Sequence, residues 1–346
     1  MIKHEQLYAY YDVGTTNTRL FLTDRKNVID YSIVKVGVKD SAIEGSNEKL
    51  LKKLYEALFM ISKKNEIDIS TIKDIWMSGM ITNYFGMVEL EHISAPVSVD
   101  KLLKDTYVYQ EKSFFKREIR LVRGIKTAKK DEKITLSNID SMNNARGEEI
   151  EVFGVMARGY ASDKEKFVVI SPGSHTHFFY VKEGEIVDIL STFTGELHHA
   201  IKSSTILSGE LSDKSDIVRP NDILKGYEFL LKYNFARALY IVHGCKVFGI
   251  SDNDQRLQIL TGIIVGSSLE ALNQKISTQW SDATKIIILG GEKYLKSYEI
   301  LCNHILPHIE VVECDNTGKN SCGLQGFFKL LNNLLINEEE RKYERC

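Results

Sequence analysis

Asp12 ends an apolar run, Leu7 to Tyr11, and is followed by Gly14-Thr15-Thr16-Asn17-Thr18-Arg19 before Leu20 to Leu22 turns apolar again. A carboxylate at a strand end, then glycine, hydroxyls and amides, offers one ligand for a hydrated Mg²⁺ and several donors for phosphate oxygens. The same residue types also make an ordinary hairpin turn, in which Gly takes positive φ and Asp, Thr and Asn bond their own backbone. The rest of the chain has to choose between the two.

Three strands, Leu7 to Val13, Thr18 to Thr23 and Val28 to Val36, are expected to place this turn. A helix follows over Asn47 to Lys64, where Leu50, Leu51, Leu54, Leu58 and Ile61 recur at helical spacing and Ser46 is available as N-cap. Asp74 to Met77 reads as a short strand running into the loop Ser78-Gly79-Met80-Ile81-Thr82-Asn83, the usual place for a site in an α/β fold. Composition turns polar between Lys126 and Asn144, with a solvated charge run at 129 to 133, and suggests a boundary between domains 1–140 and 141–346. Strands over Phe167 to Ser171, His177 to Lys182 and Glu185 to Leu190, with Glu183-Gly184 as a turn, then repeat the opening scheme. Helical stretches are expected at Gly226 to Lys232 and Gln255 to Ile276. The buried strand Lys285 to Leu289 follows, ending in Gly290-Gly291. Leu324 to Ile336 is helical in pattern, and Glu338 to Cys346 reads as a frayed tail.

The 346 residues exceed what one core usually supports, so two domains are expected, with a ligand cleft between them. A net charge of −2 from 45 basic and 47 acidic residues gives no general attraction to nucleic acid or to anionic membranes. Five cysteines without a CxxC pair fit reduced thiols. With no signal-peptide core and no long uncharged apolar run, the protein is expected in the cytoplasm. His175 and His177 with His198 and His199 are not read as a metal site: His175 belongs to a polar turn, and His198-His199 to an exposed helix face.

Six segments stand in order: Asp12-x-Gly-Thr-Thr-Asn-x-Arg, Ser78-Gly79-Met80-Ile81, Arg146-Gly147-Glu148-Glu149, Pro172-Gly173-Ser174-His175, Thr194-Gly195-Glu196-Leu197 and Leu289-Gly290-Gly291. Together, from about Tyr8 to about Phe327, the chain resembles the 2-keto-3-deoxygalactonokinase family of the actin-like sugar kinase superfamily. The resemblance implies an α/β, two-domain actin-like ATPase (ribonuclease H-like) fold and an ATP- and Mg²⁺-dependent kinase. Its substrate would be a small sugar acid, with 2-keto-3-deoxy-galactonate phosphorylated at its terminal hydroxyl. By the same resemblance Gly14, Thr15, Thr16 and Asn17 form the first phosphate loop and Asp12 holds Mg²⁺ through water. Gly173, Ser174 and His175 start the second loop, and Gly290 and Gly291 lie against adenosine. No GxxxxGK[ST] occurs.

The resemblance also implies Glu148 as the catalytic base, with Glu149 as fallback and substrate contact; from the residues alone the plain reading of Glu148 is a first-turn glutamate complementing the helix dipole. Ser78, Met80 and Asn83 are expected on the substrate side. Arg19 would reach phosphate or the substrate carboxylate, or else is a surface strand arginine. Glu196 is given no chemistry. Two departures stand out. The family's Gly-Ser-Arg-Gln-Gly-Trp is here Thr82-Asn83-Tyr84-Phe85-Gly86-Met87, which replaces a planar carboxylate donor by aromatics; its Gly-Thr-His-Ser-Lys-Trp is Gly173-Ser174-His175-Thr176-His177-Phe178, which lacks the Lys. Other sugars, a homodimer, and a nucleotide-switched binding protein on the same fold are the alternatives carried forward.

Overall fold

The computed structural model describes residues 6–212, 217–290 and 295–343, with side chains to 340. β1 (Leu7–Val13), β2 (Thr18–Thr23) and β3 (Val28–Val34) form the expected antiparallel meander. α1 (Val38–Glu44), α2 (Glu48–Lys64) and β4 (Ile72–Gly79) follow, with β4 parallel to β1. Then come β5 (Ile93–Ser94), α3 (Val99–Lys104), β6 (Tyr107–Glu111), β7 (Arg117–Leu121), β8 (Ile125–Lys126), β9 (Asn144–Ala145) and α4 (Glu148–Ala157). These strands build one sheet in the order β3-β2-β1-β4-β7-β6 and a small one, β5-β8-β9.

The scheme recurs. β10 (Lys166–Ser171), β11 (His175–Lys182), β12 (Glu185–Phe193), α5 (Gly195–Ser204), α6 (Pro220–Val247), α7 (Asn253–Thr278), β13 (Lys285–Leu289), α8 (Leu295–Ile305) and β14 (Glu310–Cys314) give a sheet ordered β12-β11-β10-β13-β14. β10 is antiparallel to β11 and parallel to β13, as β1 is to β2 and β4. α9 (Cys322–Tyr343) closes the chain.

Two compact units result, Met1–Asp163 with Gly184–Ile189 and Thr317–Cys346, and Lys164–Glu183 with Leu190–Asn316. They do not divide at residue 140. α4 and α9 pack on each other within the first unit because each has a glycine where the other's backbone passes. A Cβ on Gly154 would lie 1.8 Å from the Cys322 carbonyl oxygen, and one on Gly326 would lie 2.0 Å from that of Ile150. The second unit repeats the device, with Gly226 and Gly262 each set so that a Cβ would lie 2.0 Å from the backbone of the facing helix.

In β1 the two-residue period sorts the side chains. Leu7, Ala9, Tyr11 and Val13 join a core with Leu50, Leu54 and Leu58 of α2, and the Tyr11 hydroxyl donates to the Leu54 carbonyl at 3.0 Å. Tyr10 faces the other way and stacks on Phe327 of α9 with ring centroids 4.7 Å apart. Asp12 is in phase with Tyr10, so its carboxylate belongs to the side that carries α9 and α4.

Three expectations shift. α6 runs through the stretch where the pattern stopped, with Asn234 at φ +64° breaking it and its side-chain oxygen accepting from Arg237 N at 3.3 Å to restart the next turn. The helix expected to end at Ile336 continues to Tyr343, so Glu338 to Tyr343 is not a frayed tail. His198 is buried at 2% exposure on α5, not on an open face. Among the described residues no helix is long and apolar enough to cross a membrane.

Candidate functional site

The first hairpin is held from behind by α1. Val38 N donates to the Gly14 carbonyl at 3.3 Å and Lys39 N to that of Thr15 at 2.9 Å, so the helix start fixes the turn by its otherwise unpaired N–H groups. Gly37 allows that approach, since a Cβ there would lie 2.4 Å from the Thr15 carbonyl. The Thr18 hydroxyl donates to Val36 O at 2.9 Å from a buried position, while Thr15, Thr16 and Asn17 are exposed. Asp12 and Arg19 face each other across the strands, with Arg19 Nη1 2.9 Å from Asp12 Oδ2.

β4 ends beside β1, with Ser78 opposite Asp12, and the Tyr10 and Ser78 hydroxyls are 2.8 Å apart. Gly79 at φ +79° and Gly147 at φ +113° take backbone conformations that a side chain would strain. A Cβ on Gly79 would lie 2.5 Å from Val13 O, and one on Gly147 would lie 3.0 Å from Gly79 Cα. The ends of β1 and β4 and the start of α4 therefore meet within a few atoms, and α4 brings its first-turn glutamates there.

Glu148 retains some surface but is crowded enough that burial, then the negative charges of Glu151 and Asp12, raise its carboxyl to about 7; its Oε2 accepts Arg146 N–H at 3.1 Å. Glu149 is fully buried, and burial followed by the Glu148 charge raises it to about 8. Its Oε2 accepts Gly147 N–H at 2.7 Å, and its Oε1 has no partner among the described residues. The expected substrate contact from Glu149 thus has no surface to make it. Glu151, which the sequence reading passed over, belongs to this acidic group.

Beyond β4 the loop is compact. Met87 N donates to Ile81 O at 2.7 Å, Gly86 N to Asn83 O at 2.8 Å, and Asn47 Nδ2 to Gly86 O at 2.7 Å. Asn83 Oδ1 accepts Phe85 N at 3.1 Å, while Ser78 is fully buried and Met80 partly so. Tyr84 stands 72% exposed and Phe85 41%, their rings nearly perpendicular with centroids 5.0 Å apart.

In the second unit Gly173, Ser174 and His175 are exposed at the β10–β11 turn. This turn too is backed by a helix start: Glu196 N donates to Ser174 O at 2.9 Å, and a Cβ on Gly195 would lie 2.2 Å from Gly173 O. The Phe193 ring lies 4.6 Å from that of His175. His177 is buried with Nδ1 2.8 Å from Ser191 Oγ, and burial, then the nearby His175, lowers it to about 4. Behind the turn, hydroxyls of Thr192 and Thr194 meet that of Ser268 at 2.7 and 2.6 Å, and Thr176 meets Tyr298 at 2.7 Å. Among the described residues no group of three His, Cys, Asp or Glu is placed to hold a metal ion by itself. Gly290 N donates to Cys314 O at 2.6 Å, and a Cβ on Gly290 would lie 2.8 Å from the same oxygen, so the approach of β14 already favours glycine there; Gly291 lies outside the described residues.

Gly37 was the supporting residue least visible beforehand, while Gly195 stood in the segment Thr194-Gly195-Glu196-Leu197 without the bracing role that the fold gives it.

The model of the 2-keto-3-deoxy-galactonokinase family matches residues 12–323. The 2-dehydro-3-deoxygalactonokinase of Escherichia coli strain K12 is 23% identical over 167 residues, 48% of this chain and 53% of that protein, so the chain spans about half the length of the curated relative it matches. A solved structure of a candidate 2-dehydro-3-deoxygalactonokinase from Sinorhizobium meliloti is similar with a TM-score of 0.73 at 16% identity, covering 94% of this chain and 99% of that one. The (R)-2-hydroxyglutaryl-CoA dehydratase component A of Acidaminococcus fermentans gives 0.50 at 10% identity, covering 94% and 98%. These likenesses show the fold alone, the actin-like ATPase fold. With a family match over nearly its whole length, the chain belongs to the 2-keto-3-deoxy-galactonokinase family.

Proposed function

We propose that the protein is an ATP-dependent kinase that phosphorylates the terminal hydroxyl of a small sugar acid, 2-keto-3-deoxy-galactonate or a close relative. The observation that carries this reading is the convergence of the ends of β1 and β4 with the start of α4, which brings Glu148 within reach of the charge of Asp12, in a chain of this family. Glu148 is the base: it keeps surface toward an acceptor, and a carboxyl titrating near 7 is matched to taking a hydroxyl proton near neutrality. Glu149, sealed in, supports the Gly147 backbone from which Glu148 projects.

Asp12 fits a hydrated Mg²⁺, because its carboxylate is partly open and its side-chain partner is the exposed Arg19, which can turn to phosphate once a metal neutralises Asp12. The cation, when bound, offsets the charge of the transferring phosphoryl group. The exposed residues Thr15, Thr16 and Asn17 at the first turn, shaped by Gly14, would donate to phosphate, Gly173, Ser174 and His175 at the second turn carry the same role in their unit, and Gly290 would border the nucleoside. Ser78, being buried, acts through Tyr10 and the β1–β4 pairing, while Met80, Asn83 and Tyr84 border the acceptor.

An ADP-release assay with Mg·ATP over C5 to C7 sugar acids and neutral sugars tests the reading. Turnover of 2-keto-3-deoxy-galactonate is expected. It should fall roughly 100-fold or more in Glu148→Gln, the scale of a lost general base. In the native chain kcat rises with pH and is half-maximal near pH 7, because the base must be ionised. ATP binding with no acceptor phosphorylated would instead favour a nucleotide-switched binding protein.

A further inference from the structure

We infer that Arg146 is a positioning residue that clamps the acceptor-side loop, Thr82 to His92, to the helix bearing the base, and that it does not anchor the acceptor's carboxylate. The inference rests on the kinase reading for what the loop and the base do, and on hydrogen bonds alone for the clamp.

Arginine beside a glutamate pair in a sugar-acid kinase suggests a carboxylate fork. The geometry points elsewhere. Nη1 donates to the Thr82 carbonyl at 2.6 Å and also contacts Thr82 Oγ1. Nη2 lies 3.0 Å from Leu90 O and 3.3 Å from His92 Nδ1. The four N–H bonds of the two terminal nitrogens are thereby engaged by one loop. His92 suits the role of acceptor, because burial and then the Arg146 charge hold it neutral, down to about 4. To grip a substrate carboxylate, Arg146 would have to release its bonds to the Thr82 and Leu90 carbonyls, leaving Thr82 O with Leu90 N alone and Leu90 O without its arginine donor.

The main chain of the same residue reaches the base, since Arg146 N donates to Glu148 Oε2 at 3.1 Å. One residue thus ties the loop through its side chain and the base through its backbone. Thr82 O also accepts Leu90 N at 3.1 Å, so the clamp lands on the bond that closes the loop displaying Tyr84 and Phe85. Lysine keeps the charge of arginine and loses the planar fork, so it separates clamping from simple electrostatic attraction.

The test compares the native chain, Arg146→Lys and Thr82→Val. Acceptors are 2-keto-3-deoxy-galactonate and the neutral analogue with the carboxylate reduced to an alcohol. For Arg146→Lys, kcat should fall about 10- to 100-fold on both acceptors, a 1 Å-scale misplacement effect. The acid-to-neutral ratio of kcat/KM should stay within about twofold of native, and KM for ATP should not change. Amide exchange at Met87 and Leu90 should quicken about tenfold or more in Arg146→Lys, and by less in Thr82→Val, while β10 amides remain as in the native chain. A selective loss of the acid, with the ratio down tenfold and kcat retained, would overturn the inference, as would unchanged exchange at Leu90. If Arg146→Lys does not fold, Thr82→Val decides through Leu90 exchange alone. If the native chain phosphorylates neither acceptor, the kinase reading fails, and the exchange measurement still decides the clamp.

Discussion

Replacing Glu149 by glutamine preserves shape and the acceptor for Gly147 N–H but removes a titrating group from a fully buried position. In the folded chain this carboxyl keeps its proton up to about pH 8, whereas its ordinary value is 4.5. Between those values the folded state binds more protons than the unfolded one, so stability present at low pH is lost as pH rises through the window. At about 1.4 kcal/mol per pH unit the whole window is worth about 5 kcal/mol. Part of the rise comes from Glu148, which titrates in the same range, so the share of Glu149 itself is smaller than the whole window. Glutamine also places an NH₂ where Oε1 has no partner, but that cost does not depend on pH. The signal is therefore a difference of differences: from pH 5 to pH 9 the variant should gain stability relative to the native chain, by up to about 4 kcal/mol if the whole shift were its own. Urea unfolding at pH 5, 7 and 9, read by buried Trp76 in a Trp280→Phe background, reports the first unit separately, because the chain has only these two tryptophans. Parallel stability–pH curves for the two proteins would refute the argument. The variant should also keep turnover within about tenfold of native, because Glu149 supports the backbone and takes no proton from the acceptor.

Gly154→Ala forces a Cβ to 1.8 Å from Cys322 O in the α4–α9 crossing, and should cost about 3 kcal/mol or more, whereas Gly209→Ala, with nothing within 4 Å of its Cβ, should leave the melting temperature within a degree or two. Gly37→Ala pushes α1 off the first hairpin and should weaken ATP binding about tenfold or more by calorimetry, while Trp280 continues to report a native second unit. Unchanged affinity would show that the turn does not need the helix start behind it.

Much of the fold was legible because its strands are locally encoded. Leu7 to Val13 and Lys285 to Leu289 are apolar and β-branched or aromatic enough to read as buried strands, and the repeated strand–turn–strand scheme follows from that reading. α6 was only half legible, because Asn234 interrupts the helical period while the chain resumes beyond it. The allegiance of α4 and α9 was hidden, since a boundary read from polar composition at 126 to 144 cannot register that glycines at 154 and 326 interlock two helices far apart in sequence. His198 was misjudged because a His-His pair on a helix looks alike on either face until the core against α7 decides which one is inside.

By itself the sequence determined the types and order of the candidate segments: Asp12 with its glycine and hydroxyl turn, the Gly147-Glu148-Glu149 run, the second turn at Gly173 and the double glycine after Leu289. Residue type, turn chemistry and alternation are local properties, and they survive without coordinates. Only the tertiary structure decided that Glu148 keeps surface while Glu149 loses it, that helix starts at Gly37 and Gly195 brace both turns, and that Arg146 spends its guanidinium on Thr82, Leu90 and His92. Those facts depend on where an α4 turn falls against the ends of β1 and β4. Close approach there is set by register and by the absence of a Cβ, and no local pattern reports what lies opposite a residue some sixty positions away.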